Sequence, residues 1–211
     1  ESDEVWDYIT QFADFNDYVH TVDTRHNGKL YPMPINLDTI NLLYDKNLDA
    51  KEAEDFVKAE AKRDSADIDE PKNFEEQGIT LVGKKLYEAF LKNYTAKQWN
   101  TDPKNLSADL LKRIPVRFSH DNRYFITAKH QGIPTDGYTK MVENMLDHKN
   151  ITVKLNTDFK SLGEIPAKTK VVYCGTVDAL MDYQLGVLPY RSLRFEEEKV
   201  ENSDQAEAVI N

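Results

Sequence analysis

A chain of 211 residues, 40% of them hydrophobic, is long enough for one large domain or two small ones and apolar enough to build a core. Its 37 acidic residues against 27 basic ones give a net charge of −10, which excludes a bulk binder of nucleic acid or of an anionic membrane surface. With a mean hydropathy of −0.66, no apolar run approaches the ~20 residues of a membrane span.

The single cysteine, Cys174, excludes an internal disulfide and fits a reducing, cytoplasmic setting. Glu1-Ser-Asp-Glu4 has no signal-peptide pattern. An opening at Glu and a closing Ala208-Val-Ile-Asn211, which reads as a strand cut short, lead us to expect a piece of a longer chain.

In chain order, Ser2-Asp3 can cap a first helix carrying Val5, Trp6, Ile9 and Phe12. Residues 18–25 alternate as a strand, and Asn27-Gly28 followed by Lys29-Leu-Tyr-Pro32 predicts a hairpin that ends at Pro32 and Pro34. Asp38 then caps a short helix with Ile40, Leu42 and Leu43. Asp49 to Ala61 reads as a surface helix with Ala53, Phe56 and Val57 as a thin apolar edge. Arg63 to Lys72 is a loop. A long helix follows over about Asn73 to Lys92, with Phe74, Gly78, Leu81, Val82, Leu86, Ala89 and Phe90 as its stripe. Ser107 to Leu111 is a short helix stopped before Pro115.

From Val116 the texture changes. Strands are predicted at 116–118, 124–127, 151–155, 170–174, 191–195 and 207–210, the 170–174 run as a buried one. A helix over Gly137 to His148 places Met141, Met145 and Leu146 on one side.

Known sequence motifs are absent: no G-x-G-x-x-G, no Walker loop, no C-x-x-C and no H-E-x-x-H, and the five histidines lack metal-ligand spacing. One region stands out. Residues 92–129 hold Lys92, Lys97, Lys104, Lys112, Arg113, Arg117, Arg123 and Lys129 against Asp102, Asp109 and Asp121, a local balance of +5. Tyr94, Trp99, Phe118, Tyr124 and Phe125 are interleaved with them. Guanidinium forks match phosphate oxygens and aromatic faces match a base or a sugar, so the island suits an anionic ligand with one flat part, such as a nucleotide sugar. The plainer alternative has Tyr94 and Trp99 capping the apolar end of the long helix while Arg113 and Arg117 pair with local acids, and composition taken alone leans that way.

The run Leu86-Tyr-Glu-Ala-Phe-Leu-Lys-Asn-Tyr-Thr-Ala-Lys-Gln-Trp99 resembles the UDP-galactopyranose mutase family. So do Leu111-Lys-Arg-Ile-Pro-Val-Arg-Phe118, Asp121-Asn-Arg-Tyr-Phe125, Gln131-Gly-Ile-Pro-Thr-Asp-Gly-Tyr138, Pro34-Ile-Asn-Leu37, Phe74-Glu-Glu-Gln77, Tyr173-Cys-Gly-Thr-Val-Asp-Ala-Leu180 and Leu188-Pro-Tyr-Arg-Ser-Leu-Arg-Phe195. The matches follow in order along nearly the whole chain.

The resemblance implies an α+β or α/β protein: a helical substrate-binding domain, antiparallel-sheet strands, and a returning piece of a Rossmann-like FAD domain. By it, residues 1–110 are the uridine-binding helical domain, 111–149 a mobile loop with strands and a helix, 150–185 the FAD-domain piece, and 186–211 sheet strands. The glycine-rich fingerprint and a C-terminal part are expected outside these residues.

The resemblance also implies substrate-binding roles. Phe90 and Tyr94 form a uracil platform, Thr95 lies beside the uridine, and Trp99 lies beside the sugar and diphosphate. Arg113 clamps the diphosphate, Tyr124 contacts a phosphate, and Asn211 sits by the uridine. Arg117 belongs to the motif with a loop-packing or flavin-side role. No catalytic or metal-binding side chain is assigned within the chain.

The implied activity of the whole protein interconverts UDP-galactopyranose and UDP-galactofuranose through attack of reduced FAD N5 on the anomeric carbon, with this chain inactive alone. A homodimer is expected from the family, with neither nucleic acid nor membrane as partner. Two alternatives stay open: an amine-oxidase-like flavoprotein oxidoreductase, and a non-catalytic nucleotide-sugar-binding module.

Overall fold

Asn-Gly between two extended runs demands positive φ at both turn residues, and Asn27 (φ 49°) and Gly28 (φ 78°) supply it. The hairpin they close pairs β1 (Val22–His26) with β2 (Lys29–Met33), antiparallel, with Val22 opposite Met33, Thr24 opposite Tyr31 and His26 opposite Lys29. Because strand side chains alternate, these three pairs share one face, which buries Val22 and Tyr31. The structure, a computed structural model, describes residues 2–113, 116–190, 192–199, 201, 209 and 210, with Lys112 and Arg113 described in their backbone only.

Helices make most of the rest. α1 (Asp3–Ile9) starts at Ser2, whose hydroxyl accepts from the Val5 N–H. α2 (Leu37–Tyr44) is capped by Asn36 and not by Asp38. Asn36 is fully buried: its Oδ1 accepts from the Thr39 N–H at 2.9 Å while its own N–H donates to Thr39 Oγ1 at 3.1 Å. A buried start needs a neutral side chain that closes both bonds, and Asn meets that where Asp would bury a charge. α3 (Ala50–Asp64) carries a reciprocal Asp49/Glu52 cap and buries Ala53, Val57 and Ala61, one per turn. α4 (Phe74–Val82) is capped by Asn73.

The long helix predicted over 73–92 is broken at Gly83 and extends beyond its predicted end. Gly83 has φ +80°, and a Cβ there would meet Glu60 Cβ at 3.2 Å and the Ala61 N at 3.3 Å. Only glycine takes that backbone and lets the turn lie against α3. The Lys84 N–H beyond it donates to Asp64 Oδ2 at 2.8 Å. The chain continues through α5 (Lys84–Leu86), a π-helical stretch Tyr87–Lys92, and α6 (Asn93–Trp99).

The core gathers the inner hairpin face, α2, α3, α4 and the π-helical stretch: Tyr31, Ile35, Ile40, Val57, Phe74, Val82, Leu86, Tyr87, Phe90 and Leu111 among others. Leu111 arrives on the 3-10 turn Ala108–Arg113, the short helix expected there. Burial, then the Glu75 carboxylate that accepts its hydroxyl at 3.2 Å, push the Tyr87 phenol well above its usual titration range.

The second half departs from the expected strands. Among the described residues the only sheet is the β1–β2 ribbon, so the protein is mostly helical with a small antiparallel sheet. Residues 116–118, 124–127, 151–155, 170–174 and 192–195 are not strands, and residues 191 and 207–208 lie outside the described residues. Alternating apolar residues become a strand only against a ladder partner. At 170–174, read as a buried strand, Val172 is 87% exposed. Two isolated bridges, Thr21 to Arg123 and Asp23 to Ile210, show where further chain meets the β1 edge. α7 (Gly137–Leu146) forms as predicted, with Tyr138, Val142 and Leu146 exposed, and α8 (Val177–Leu180) is a single turn not foreseen. No helix among the described residues is long and apolar enough to cross a membrane.

Candidate functional site

The aromatic run Tyr87 to Trp99 straddles the change from π-helical to α-helical winding. π segments place side chains off the regular 3.6-residue rows and recur at functional sites. Phe90 is buried under the hairpin, its ring edge-to-face with Tyr31 at 5.0 Å and near His26 at 5.8 Å. Tyr94, four residues on, is 50% exposed; Thr95 is buried; Trp99, four residues after Thr95, is 40% exposed. Trp99 and Gln98 line a cavity of about 530 Å³ together with Pro189 and Tyr190. Tyr190 belongs to the 188–195 run, which resembles the same family as the Trp99 run, and that aromatic within it is the one sequence signal for its place beside Trp99.

Tyr124 is 40% exposed at the other end of β1. Its N–H donates to the His20 carbonyl at 2.8 Å, and its ring meets His20 edge-on at 5.3 Å. Phe90 therefore packs at the His26 end of β1 and Tyr124 at the His20 end. The side chain of Arg113 and the whole of Asn211 lie outside the described residues.

The basic island is partly neutralised locally. Arg123 grips Asp121 (2.7 Å), whose carboxyl is held down at about 2 by the Arg123 side chain and N–H. Lys129 pairs with Asp3 at 2.6 Å and Lys104 with Glu75 at 3.5 Å. Among the described residues Lys92 and Lys97 make no ion pair, which leaves positive charge at the end of the π-helical stretch and on α6, the helix that carries Tyr94 and Trp99. Among the described residues Arg117 makes no ion pair, and its guanidinium donates to the main-chain oxygens of Arg123 (2.5 Å) and Tyr124 (2.8 Å), a grip that no sequence pattern announces.

A second, larger cleft of about 900 Å³ is lined by Trp6, Phe15, Tyr18, His20, Phe125, His130 and Tyr138. Trp6 and His130 stack there at 4.9 Å. Among the described residues no group of three His, Cys, Asp or Glu side chains is placed to hold a metal ion. Nor do they form a strand, glycine-rich turn and helix, so the residues of this chain do not by themselves fit a dinucleotide cofactor.

A sequence model of the UDP-galactopyranose mutase family matches residues 89–211. The chain belongs to the UDP-galactopyranose mutase family. The match opens inside the π-helical stretch, one residue before Phe90, and runs through Trp99 and Tyr124. A probable UDP-galactopyranose mutase of Klebsiella pneumoniae is 41% identical over 211 residues, covering all of this chain and 54% of the relative. A dTDP-fucopyranose mutase of Escherichia coli is 35% identical over 215 residues, covering all of this chain and 56% of the relative. A UDP-galactopyranose mutase of Mycoplasma pneumoniae is 29% identical over 220 residues, with 93% of this chain and 52% of the relative covered. The chain thus spans about half the length of the curated relatives it matches.

Proposed function

We propose that the protein carrying this chain is a nucleotide-sugar mutase that interconverts UDP-galactopyranose and UDP-galactofuranose, and that this chain supplies much of its UDP cradle. The observation that carries the reading is the placement of Tyr94, Thr95 and Trp99 on one helix after a π-helical stretch, inside the segment that matches the family. The half-exposed Tyr94 and Trp99 offer flat faces to the base and the sugar. The cations of this helix and Arg113 supply charge for the diphosphate, and Tyr124 supplies a phenol at the far end of β1.

FAD is proposed as the cofactor of the whole protein, in line with the family. In that whole, residues 150–185 belong with the flavin-binding domain and 186–211 with an antiparallel sheet. This chain binds and orients the nucleotide and is inactive alone, and a cytoplasmic setting suits its lone cysteine.

A second reading, a thymidine-linked substrate, is favoured by the E. coli dTDP-fucopyranose mutase, which is similar over all of this chain. Incubating the full-length protein, with reductant, with UDP-galactopyranose and separately with a dTDP-linked 6-deoxyhexose separates the two. Furanose product from the UDP sugar, lost in Trp99→Ala, supports the first; turnover of the dTDP sugar alone supports the second. Turnover of neither refutes both.

A further inference from the structure

We propose that Arg117 is the positioning residue of Tyr124, holding the phenol at the far end of the site through the main chain without touching the ligand. This rests on the reading of Tyr124 as a diphosphate contact. The guanidinium Nη1 donates to the Arg123 carbonyl at 2.5 Å and Nη2 to the Tyr124 carbonyl at 2.8 Å, two consecutive main-chain oxygens seized by one fork. Its Nε–H is buried and finds no acceptor among the described residues. A buried donor left unmatched is unfavourable, so shape-filling alone would be better served by an apolar side chain. What this arginine achieves that such a side chain cannot is the grip on both carbonyls.

The other sides of Tyr124 are fixed independently. Its N–H donates to the His20 carbonyl, and Arg123 before it is tied to Asp121 through both its N–H (3.0 Å) and its guanidinium (2.7 Å). Arg117 itself is anchored, its N–H donating to the Ile35 carbonyl at 2.9 Å. The neighbouring Asn122 Oδ1 accepts from Asn36 Nδ2 at 2.7 Å. The chain from Arg117 to Tyr124 is therefore a closed loop whose last peptide is clamped from both faces, and Arg117 is the clamp on the carbonyl side. Lysine keeps the charge but cannot bridge two carbonyls in one plane.

A double-mutant cycle on UDP affinity in the full-length protein tests this. Tyr124→Phe, Arg117→Gln, Arg117→Lys and Arg117→Gln/Tyr124→Phe are titrated with UDP, each after a thermal melt. We expect Tyr124→Phe to weaken UDP about 10-fold or more, as for a hydrogen bond to a charged group. Arg117→Gln should approach that loss, Arg117→Lys should recover little of it, and the double variant should bind within about twofold of Tyr124→Phe alone. Wild-type affinity in Arg117→Gln, or losses that multiply in full in the double variant, would overturn the positioning role while leaving Tyr124 in place. Wild-type affinity in Tyr124→Phe would overturn the reading of Tyr124 itself and the role of Arg117 with it. Where Arg117→Gln does not fold, Arg117→Lys carries the same cycle.

Discussion

Gly78 sits in the middle of α4, where intrinsic helix preference favours alanine over glycine by about 1 kcal/mol. The packing opposes it. A Cβ on Gly78 would lie 2.5 Å from Tyr87 Cδ2, 3.0 Å from Tyr87 Cε2 and 3.3 Å from Leu111 Cδ1. The tyrosine ring must retreat by about 1 Å to regain carbon–carbon contact distance, yet it is buried with its hydroxyl bonded to Glu75. Overpacking of this kind costs about 1–3 kcal/mol, and the short contact puts this site at the upper end. Set against the helix gain, Gly78→Ala should destabilise by about 1–2 kcal/mol, lowering Tm by about 2–8 °C for a chain of this size. Circular dichroism melts of wild type, Gly78→Ala, Tyr87→Leu and the double variant measure it. The double variant should match Tyr87→Leu or exceed it in stability, because the ring that meets the new methyl is gone. A Gly78→Ala protein more stable than wild type would refute the claim that Tyr87 is held against α4, and with it the account of how the π-helical stretch is seated.

Asn36→Ala should lose about 2 kcal/mol in urea denaturation, since it removes a buried cap and the bond to Asn122 together. Tyr44→Phe should leave stability unchanged or raise it by about 1 kcal/mol, because the Tyr44 hydroxyl is buried without a hydrogen-bond partner among the described residues while its ring contacts with Phe56 and Lys85 survive the change. Burial first, then Glu60 and Asp64, push that phenol up to about 12. The unfolded chain therefore ionises first, and wild type should lose stability from about pH 10 to 12 more steeply than Tyr44→Phe, in which the raised Tyr87 phenol alone of the two still contributes. The Asp121 carboxyl is depressed to about 2 by Arg123, so its bond is intact above the ordinary carboxylate range. Amide exchange at residues 121–125 should speed up as pH falls from about 4 towards 2, relative to an Asp121→Asn reference.

What the sequence disclosed follows from how local each signal is. The Asn27-Gly28 hairpin, the Ser2, Asp49 and Asn73 starts and the apolar edge of α3 are set within a few residues, and they form as read. The cap of α2 is not set locally, because Asp38 and Asn36 are both good cap residues; the choice is made by burial, which depends on Pro32 and on Asn122, 86 positions away. The break at Gly83 was hidden because the apolar stripe runs on through it, and its reason is the approach of α3. The strands expected in the second half rest on short apolar or alternating runs, and such a run needs a neighbouring strand to become a ladder. At the site, the aromatic run ending in Trp99 was legible as a motif. That Phe90 is buried under Tyr31, that β1 separates it from Tyr124, and that Arg117 grips two carbonyls are tertiary facts with no local trace.

The central claim is that the helix bearing Tyr94 and Trp99 holds UDP. The measurement that reaches it most directly is a UDP titration followed by tryptophan fluorescence in the full-length protein, with wild type and Trp99→Phe compared. Within this chain Trp6, stacked on His130 in the other cleft, is the only other tryptophan and should report nothing. The account predicts a saturable change that disappears in Trp99→Phe and shifts to higher UDP concentration in Tyr94→Ala. A saturable change that persists unaltered in Trp99→Phe, or no binding of UDP at all, would contradict it.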